Sequence, residues 1–511
     1  MNMHRSMGND GPTHLAEWPV PAPVLLLGLV ACIIGLILPV TDIGFADETS
    51  YLMQGVNFLK DPPLIDRGPL YSFWYFLLNF FVRDHYYLYF TSWCLLVFLS
   101  ITTPYIIERN QAAIVYAFLA CLLPFYNRWP YINLFSAVIV LGSLSIIERE
   151  LKKSCVAVCL TVLLTCAVIS YARPEYEYAC FPAAGLLVLA YVFEPKTRGT
   201  TVALALGIVV FIAVVWSFAA FSAARSGIAF GTYHDVIAQA HGKLNENPWT
   251  SGYSYKLFGL PQSATLLDFL RANPAEFGSH ILYNITRPLF IGLVLLLSFT
   301  ILISCARLTA EGRLVLAPMP LYRAATIVVF YIPALAATGI IFPSTHYLII
   351  PYLVSIYYIA RSDLAETLGQ RRAAFPVLIV LVAMSLIVEC WIESRKDRPY
   401  KPTIGCLLQL QRERGIMSGN VLESLGGVYA YLEGDTKRVA HDGIKEGESI
   451  PAFLQRVDPV IVLTDDNFFS YMAAHEHTKV ASLSEFDELF RQNGYGEYQC
   501  RHPGPAIFVR N

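Results

Sequence analysis

Apolar residues in this chain arrive in long unbroken blocks. Residues 21–40 (PAPVLLLGLVACIIGLILPV) carry no charge, over roughly the 20 residues a helix needs to cross a bilayer core. The same criterion picks out 86–107, 111–126, 130–147, 154–172, 176–193, 200–221, 283–306, 321–341, 346–360 and 375–392, and so predicts about eleven spans. The first block is longer than a signal-peptide core and no small-residue cleavage site follows it, which makes it a retained first helix. Two intervening segments, 41–85 and 222–282, are long enough to be functional loops. In the first, 48–60 clusters Tyr51, Leu52, Val56 and Leu59 on one face of an amphipathic helix. Residues 70–82 (LYSFWYFLLNFFV) are too short to span comfortably and rich in aromatics, the pattern of an interfacial or re-entrant helix. After residue 392 the pattern changes to short alternating runs. A strand is predicted at 459–464, a helix at 483–492 and a strand at 506–510. The expected class is an all-α polytopic membrane protein, with a tail at 1–20, a transmembrane domain at 21–392 and a small α/β soluble domain at 393–511.

Composition sharpens this. Hydrophobic residues make up 55% of the chain and charged residues 15%, against roughly a quarter charged in soluble domains. A formal net charge of −2 gives no reason to expect a nucleic-acid partner. Lys and Arg collect in alternate loops: Arg109; Arg149, Lys152 and Lys153; Lys196 and Arg198; Arg307, Arg313 and Arg323; Arg361, Arg371 and Arg372. The positive-inside rule makes these loops cytoplasmic, with the N-terminus inside and the C-terminal domain extracytoplasmic. Cys32, Cys94, Cys121, Cys155, Cys159 and Cys166 lie in apolar runs and read as small membrane-helix residues rather than a disulfide framework. No Walker loop, dinucleotide fingerprint or nucleophile elbow is placed credibly; Gly426-Gly427 lacks the strand-to-helix frame.

The candidate chemistry sits in the first long loop. Asp47 and Glu48 follow the exit of the first helix, and Arg67 precedes the aromatic helix about twenty positions later. A carboxylate at a membrane face can act as general base toward a hydroxyl or amine. An Arg can hold a phosphate through paired charged hydrogen bonds. On the carboxylate pair alone, capping of the next helix by Asp47 is an equal explanation.

The fuller pattern resembles the GT-C superfamily of membrane glycosyltransferases, in particular the protein O-mannosyltransferases and the bacterial transferases that place aminoarabinose on lipid A. In these an Asp-Glu motif lies in the first external loop, followed by an amphipathic helix. A basic-Pro-Pro-aromatic stretch then opens a second helix parallel to the membrane. Phe45-Ala46-Asp47-Glu48-Thr49-Ser50-Tyr51, then Asp66-Arg67-Gly68-Pro69-Leu70-Tyr71 with Trp74, match that order. The departure is at Arg67-Gly68, where relatives often carry Lys or Arg before Pro. Tyr171-Ala172-Arg173-Pro174-Glu175 resembles the Arg-Pro-Glu of some relatives, although a charged turn with Pro opening a helix has the same form. His346-Tyr347 resembles the His-Tyr or Arg-Tyr motif that opens a late membrane helix.

The resemblance implies a GT-C-like fold and a polyprenyl-phosphate sugar donor. It implies inverting transfer to a glycan, lipid or protein acceptor on the extracytoplasmic face of a bacterial inner (plasma) membrane. Asp47 would be the general base and Glu48 the second catalytic carboxylate, with Arg67 and Arg173 on the donor phosphate. Tyr51, Tyr71, Trp74, Glu175, His241, His346 and Tyr347 would line the substrate. Several relatives use a further acidic residue in the next external loop to help a divalent metal. The corresponding Asn127-Arg128-Trp129-Pro130 has no carboxylate, which argues against metal dependence and leaves no cofactor assigned. His280 and Asn284, one helical turn apart, could both face the cavity. A lipid or glycan transporter or flippase is the first alternative. It predicts ionisable residues near the midplane, whereas those here collect at the ends of the spans. A non-catalytic subunit of an envelope complex is the second; substitution of Asp47 in a folded protein separates it from an enzyme.

Overall fold

A computed structural model describes residues 21–510, except 45–46, 61, 64–67, 123–130, 152–153, 241–257, 262–265, 309–312, 342–343, 364, 366–373, 396–399, 425, 446, 475–476, 501–504 and the side chains of 219–236, 239–240, 266–267, 341, 374–375, 442, 467 and 474. The chain is mostly helical, with a small mixed sheet near its C-terminal end. Among the described residues, eight helices are long and apolar enough to cross a membrane: Ala22–Val40, His85–Glu108, Ile132–Leu151, Pro174–Phe193, Arg198–Phe218, Pro288–Cys305, Leu321–Ile340 and Pro376–Ser394. Three shorter apolar helices, Gln111–Ala120, Cys155–Ser170 and Thr345–Ile359, fall where the other expected spans lie. Val24, Leu27, Ile212, Leu295 and Val380 stand exposed on the outer faces of the long helices. Such a girdle of large apolar side chains is costly against water and solvated by lipid.

The helix α1 (Ala22–Ile37) leads into α2 (Asp47–Val56) and α3 (Pro69–Asn79), which pack on one another before α4 (His85–Glu108). The amphipathic and aromatic helices expected in the first long loop are therefore present. The second long segment differs from expectation. Helix Arg198–Ala240 continues well beyond residue 221, and Leu266–Ala272 and Pro274–Ile285 are also helical. The reason is that a fall in hydropathy marks the edge of an apolar slab, not the end of a helix. No proline interrupts 198–240, so nothing in the backbone stops it.

Two short strands, β1 (Ala306–Leu308) and β2 (Leu314–Leu316), form a hairpin between helices. The C-terminal domain holds β3 (Ser418–Glu423), β4 (Asp435–Ala440), β5 (Pro459–Thr464), β6 (Tyr495–Tyr498) and β7 (Ala506–Arg510) in the order β4-β3-β5-β7-β6. Pairings β4–β3 and β3–β5 are parallel, and β5–β7 and β7–β6 are antiparallel. Phe453, Phe468, Phe486, Phe490 and Phe508 fill the core on one face. The expected strands at 459–464 and 506–510 and the helix at 483–492 are present.

The two ends of the helical bundle differ. At one end Glu108 accepts from the Tyr357 hydroxyl at 2.7 Å and pairs with Arg361. There, too, Glu148 accepts from Arg323 Nε at 2.7 Å and Nη2 at 2.6 Å. The other end carries the C-terminal domain. Asp42, just past α1, accepts the Lys401 N–H at 2.7 Å at the start of helix Tyr400–Arg414. The Tyr431 hydroxyl donates to the Gly44 carbonyl at 2.9 Å, and His85 Nδ1 donates to the Ala430 carbonyl at 2.7 Å. Cys406 and Cys500 form a disulfide across 94 residues, a crosslink that the cysteines of the apolar runs did not foreshadow. Disulfides of this kind persist in oxidising compartments.

These contacts put the first loop and the C-terminal domain on one face. A membrane-impermeant thiol reagent added to one side of sealed vesicles is expected to label Lys60→Cys and Lys437→Cys together, and Arg149→Cys only from the other side. Labelling of the first two from opposite sides would break the topology.

Candidate functional site

The first turn of α2 sends three consecutive side chains to three different places. Glu48 points inward and is fully buried. Its Oε1 accepts from the Tyr71 hydroxyl at 2.6 Å and the Tyr75 hydroxyl at 2.6 Å, both on α3. Its Oε2 accepts from the Tyr131 N–H at 2.9 Å, just ahead of helix Ile132–Ile146. Removal from water pushes the Glu48 carboxyl up, the neighbouring Asp47 charge adds to that, and the three donors hold it back. The shell extends outward. The Tyr89 hydroxyl donates to the Tyr131 hydroxyl at 3.2 Å and accepts from the Gly44 N–H at 2.8 Å.

Asp47 keeps an exposed face, yet enough protein surrounds it that displacement of water raises its carboxyl above the ordinary range. The Arg173 charge opposes that rise. Arg173 stands between helices Cys155–Ser170 and Glu177–Phe193 and is 8% exposed. Its Nη2 is paired with Glu175, and its guanidinium carbon lies 5.3 Å from the centre of the Tyr347 ring. Its Nε is buried and has no hydrogen-bond partner among the described residues. The His346 ring packs 4.3 Å from Tyr347, with Nδ1 hydrogen-bonded to the Ser344 hydroxyl at 2.7 Å.

Gly68 joins the first loop to this junction. It lies in the left-handed region at φ +66°, and a Cβ there would come within 2.6 Å of the Ala172 carbonyl oxygen. A side chain at this position would therefore be strained and sterically blocked. The Leu70 N–H donates to the Tyr171 carbonyl at 3.1 Å. A small recess opens here, with Asn133, Arg173, Glu175, Tyr176, Tyr347 and Ile350 among its lining.

The structure thus brings together Asp47, Arg173, Glu175, His346 and Tyr347, with Tyr51 beside Gly68 and edge-on to Tyr71. Tyr71 and Trp74 do not line the recess. The Tyr71 hydroxyl donates to Glu48, and the Trp74 indole N–H donates to Ser92 on α4 at 2.9 Å. Both Glu48 oxygens are occupied by hydrogen bonds, and they tie the turn that carries Asp47 to α3 and Tyr131. Arg67, His241 and residues 127–130 lie outside the described residues. His280 and Asn284 are fully buried and bonded to each other at 3.1 Å, with Asn284 also donating to the Gly339 carbonyl. Asn133, Tyr75 and Tyr131 were missed from sequence. Tyr75 was within reach, since it lies one helical turn after Tyr71. Tyr131 and Asn133 acquire their place only when Ile132–Ile146 packs under α2. Among the described residues no three His, Cys, Asp or Glu side chains are grouped so as to hold a metal ion. No protein-family model matches the chain, and neither does any curated protein.

The cage makes a specific prediction. In Glu48→Gln the amide oxygen can keep the Tyr131 N–H, but the amide nitrogen then faces the Tyr71 and Tyr75 hydroxyls, whose protons lose the acceptor they share in the wild type. A loss of about 1–3 kcal/mol in stability is expected from the orphaned group, read as a lower midpoint in thermal unfolding of the detergent-solubilised protein. An unchanged midpoint would mean that the cage does not hold the loop.

Proposed function

We propose that this protein is a membrane glycosyltransferase that moves a sugar from a polyprenyl-phosphate donor to an acceptor hydroxyl or amine. The observation that carries the proposal is the Arg173 Nε, a buried charged donor left without a partner among the described residues, on a side chain that lines a recess and whose charge acts on Asp47. Buried donors are nearly always satisfied, and a guanidinium bonded to a carboxylate through Nη2 alone still has N–H donors to offer an anion. The donor's phosphate supplies such an anion. Arg67, the residue before Gly68, is proposed beside it.

In this scheme the acceptor oxygen or nitrogen forms the new bond to the anomeric carbon while the bond from that carbon to the phosphate oxygen breaks. The acceptor proton passes to the Asp47 carboxylate, the lipid phosphate leaves toward Arg173, and the single displacement inverts the anomeric centre. Glu175 and Tyr347 line the recess, and Tyr51 and His346 are proposed to bound the donor beside it. With about eleven spans, the N-terminus cytoplasmic and the disulfide-bonded C-terminal domain extracytoplasmic, the reaction is proposed on the extracytoplasmic face, where a lipid-linked donor needs no ATP. Glu48 and the aromatic α3 hold this arrangement at the membrane surface.

The test is a membrane assay with a panel of polyprenyl-phosphate sugars. Asp47→Asn is expected to lower kcat about 10²–10⁴-fold with donor binding largely retained. Full activity in both Asp47→Asn and Glu48→Gln, with the protein folded, would end the proposal. The pH dependence follows from the sign of the shift. The base must be ionised, and burial raises the Asp47 pKa, so kcat should rise with pH along a limb above the ordinary carboxylate range. Arg173→Gln removes the opposing charge and should move that limb to higher pH, as well as weaken donor binding. A limb that stays in place in Arg173→Gln would separate the two residues functionally.

A further inference from the structure

The third side chain of the α2 turn, Thr49, leads to the C-terminal domain. It is 1% exposed, and its hydroxyl donates to the Gly426 carbonyl at 3.1 Å. Gly427 lies directly over it, so that a Cβ there would come within 2.7 Å of the Thr49 Cβ. The glycine pair that has no role as a nucleotide loop is thus a contact surface.

Its shape is set from within the domain. Glu423, the last residue of β3, is fully buried and accepts the Val428 N–H at 2.9 Å, with the Gly427 and Tyr429 N–H groups and the Arg438 charge also favouring its ionised form. Ser424 donates to Asp465, at the end of the neighbouring parallel strand β5, at 2.5 Å. Drawing the N–H groups of the turn inward toward Glu423 leaves the Gly426 carbonyl facing out, at Thr49. Gly426 itself takes φ +80°, a conformation that favours glycine. The strand order matters as well. β4 and β5 flank β3 on opposite sides, so this turn leaves the sheet at the switch point, where open α/β sheets form a crevice beyond the carboxyl ends of their strands. Here α2 sits against that turn.

We propose that the C-terminal domain is a positioning element for Asp47: its Gly426-Gly427 turn, organised by Glu423, seats on Thr49 and fixes the height and rotation of the turn that presents the base to Arg173. Glu48 holds that turn from the membrane side, and Thr49 holds it from the domain side. The inference rests on the glycosyltransferase proposal for its kinetic readout alone.

The experiment uses the full-length protein in nanodiscs, as Gly427→Ala, Thr49→Gly and the double variant. In Gly427→Ala, amide hydrogen exchange across residues 48–52 is expected to speed up. The kcat with the lipid-linked donor that the wild type uses should fall about 10²-fold, as for an ångström-scale misplacement of a reacting group. The donor KM should change less than about threefold, the mark of an interaction lost in the transition state rather than in the ground state. The double variant should recover part of kcat, because removing the Thr49 side chain makes room for the new methyl. If Gly427→Ala does not fold, Thr49→Val replaces it, deleting the hydroxyl while keeping the shape, with a smaller loss expected in the same direction. Unchanged exchange overturns the proposal. So does faster exchange with unaltered kcat, or a double variant no better than Gly427→Ala. A wild type that transfers no sugar from any donor ends the glycosyltransferase proposal only, and the exchange measurement still decides whether the domain sets this turn.

Discussion

Everything at the candidate site depends on a carboxylate taken completely out of water. An unpaired buried charge is among the most costly groups a fold can carry. Glu48 is kept in place by two tyrosine hydroxyls from α3 and a backbone N–H ahead of helix Ile132–Ile146. That requirement fixes the relative positions of three segments far apart in sequence. It also fixes a rotation: once Glu48 points inward, the helical twist carries Asp47 toward the Arg173 junction and Thr49 toward the C-terminal domain.

The same economy of charge appears at the opposite end of the bundle. Glu108 and Glu148 are buried against Arg361 and Arg323, with a tyrosine hydroxyl completing the first pair. In both, the carboxylate meets its guanidinium partner directly, and the Glu148 pair is bidentate. Arg361 keeps a buried Nε without a partner among the described residues, and so does Arg173, whose Nη2 is paired with Glu175. Arg173 is set apart by its place in the lining of a recess, where an unpartnered donor has capacity for an incoming anion.

The C-terminal domain is joined to the bundle by several independent polar contacts rather than by a tether. Asp42 meets the start of helix Tyr400–Arg414, Tyr431 reaches Gly44, and His85 reaches Ala430. The disulfide between Cys406 and Cys500 ties that helix to the segment ahead of β7, so the helix that meets Asp42 is covalently joined to the sheet whose turn meets Thr49.

Hydropathy alone determined that long apolar helices dominate residues 21–392, that 48–60 and 70–82 are helices of a different sort, and that strands lie at 459–464 and 506–510. It could do so because burial in lipid or in a small core acts on composition over a whole segment. The pairing of Asp47 with Glu48 and the Arg173-Pro174-Glu175 turn were visible as local motifs for the same reason. Their different burial was not. Adjacent carboxylates are chemically alike on paper, and only the packing of α2 on α3 and Ile132–Ile146 decides that Glu48 is enclosed while Asp47 keeps an open face. The continuation of Arg198–Ala240 past its apolar stretch, the Cys406–Cys500 bond and the seating of Gly427 on Thr49 share this character. Each depends on which surfaces meet, and a linear pattern specifies what a segment will bury but not against which partner.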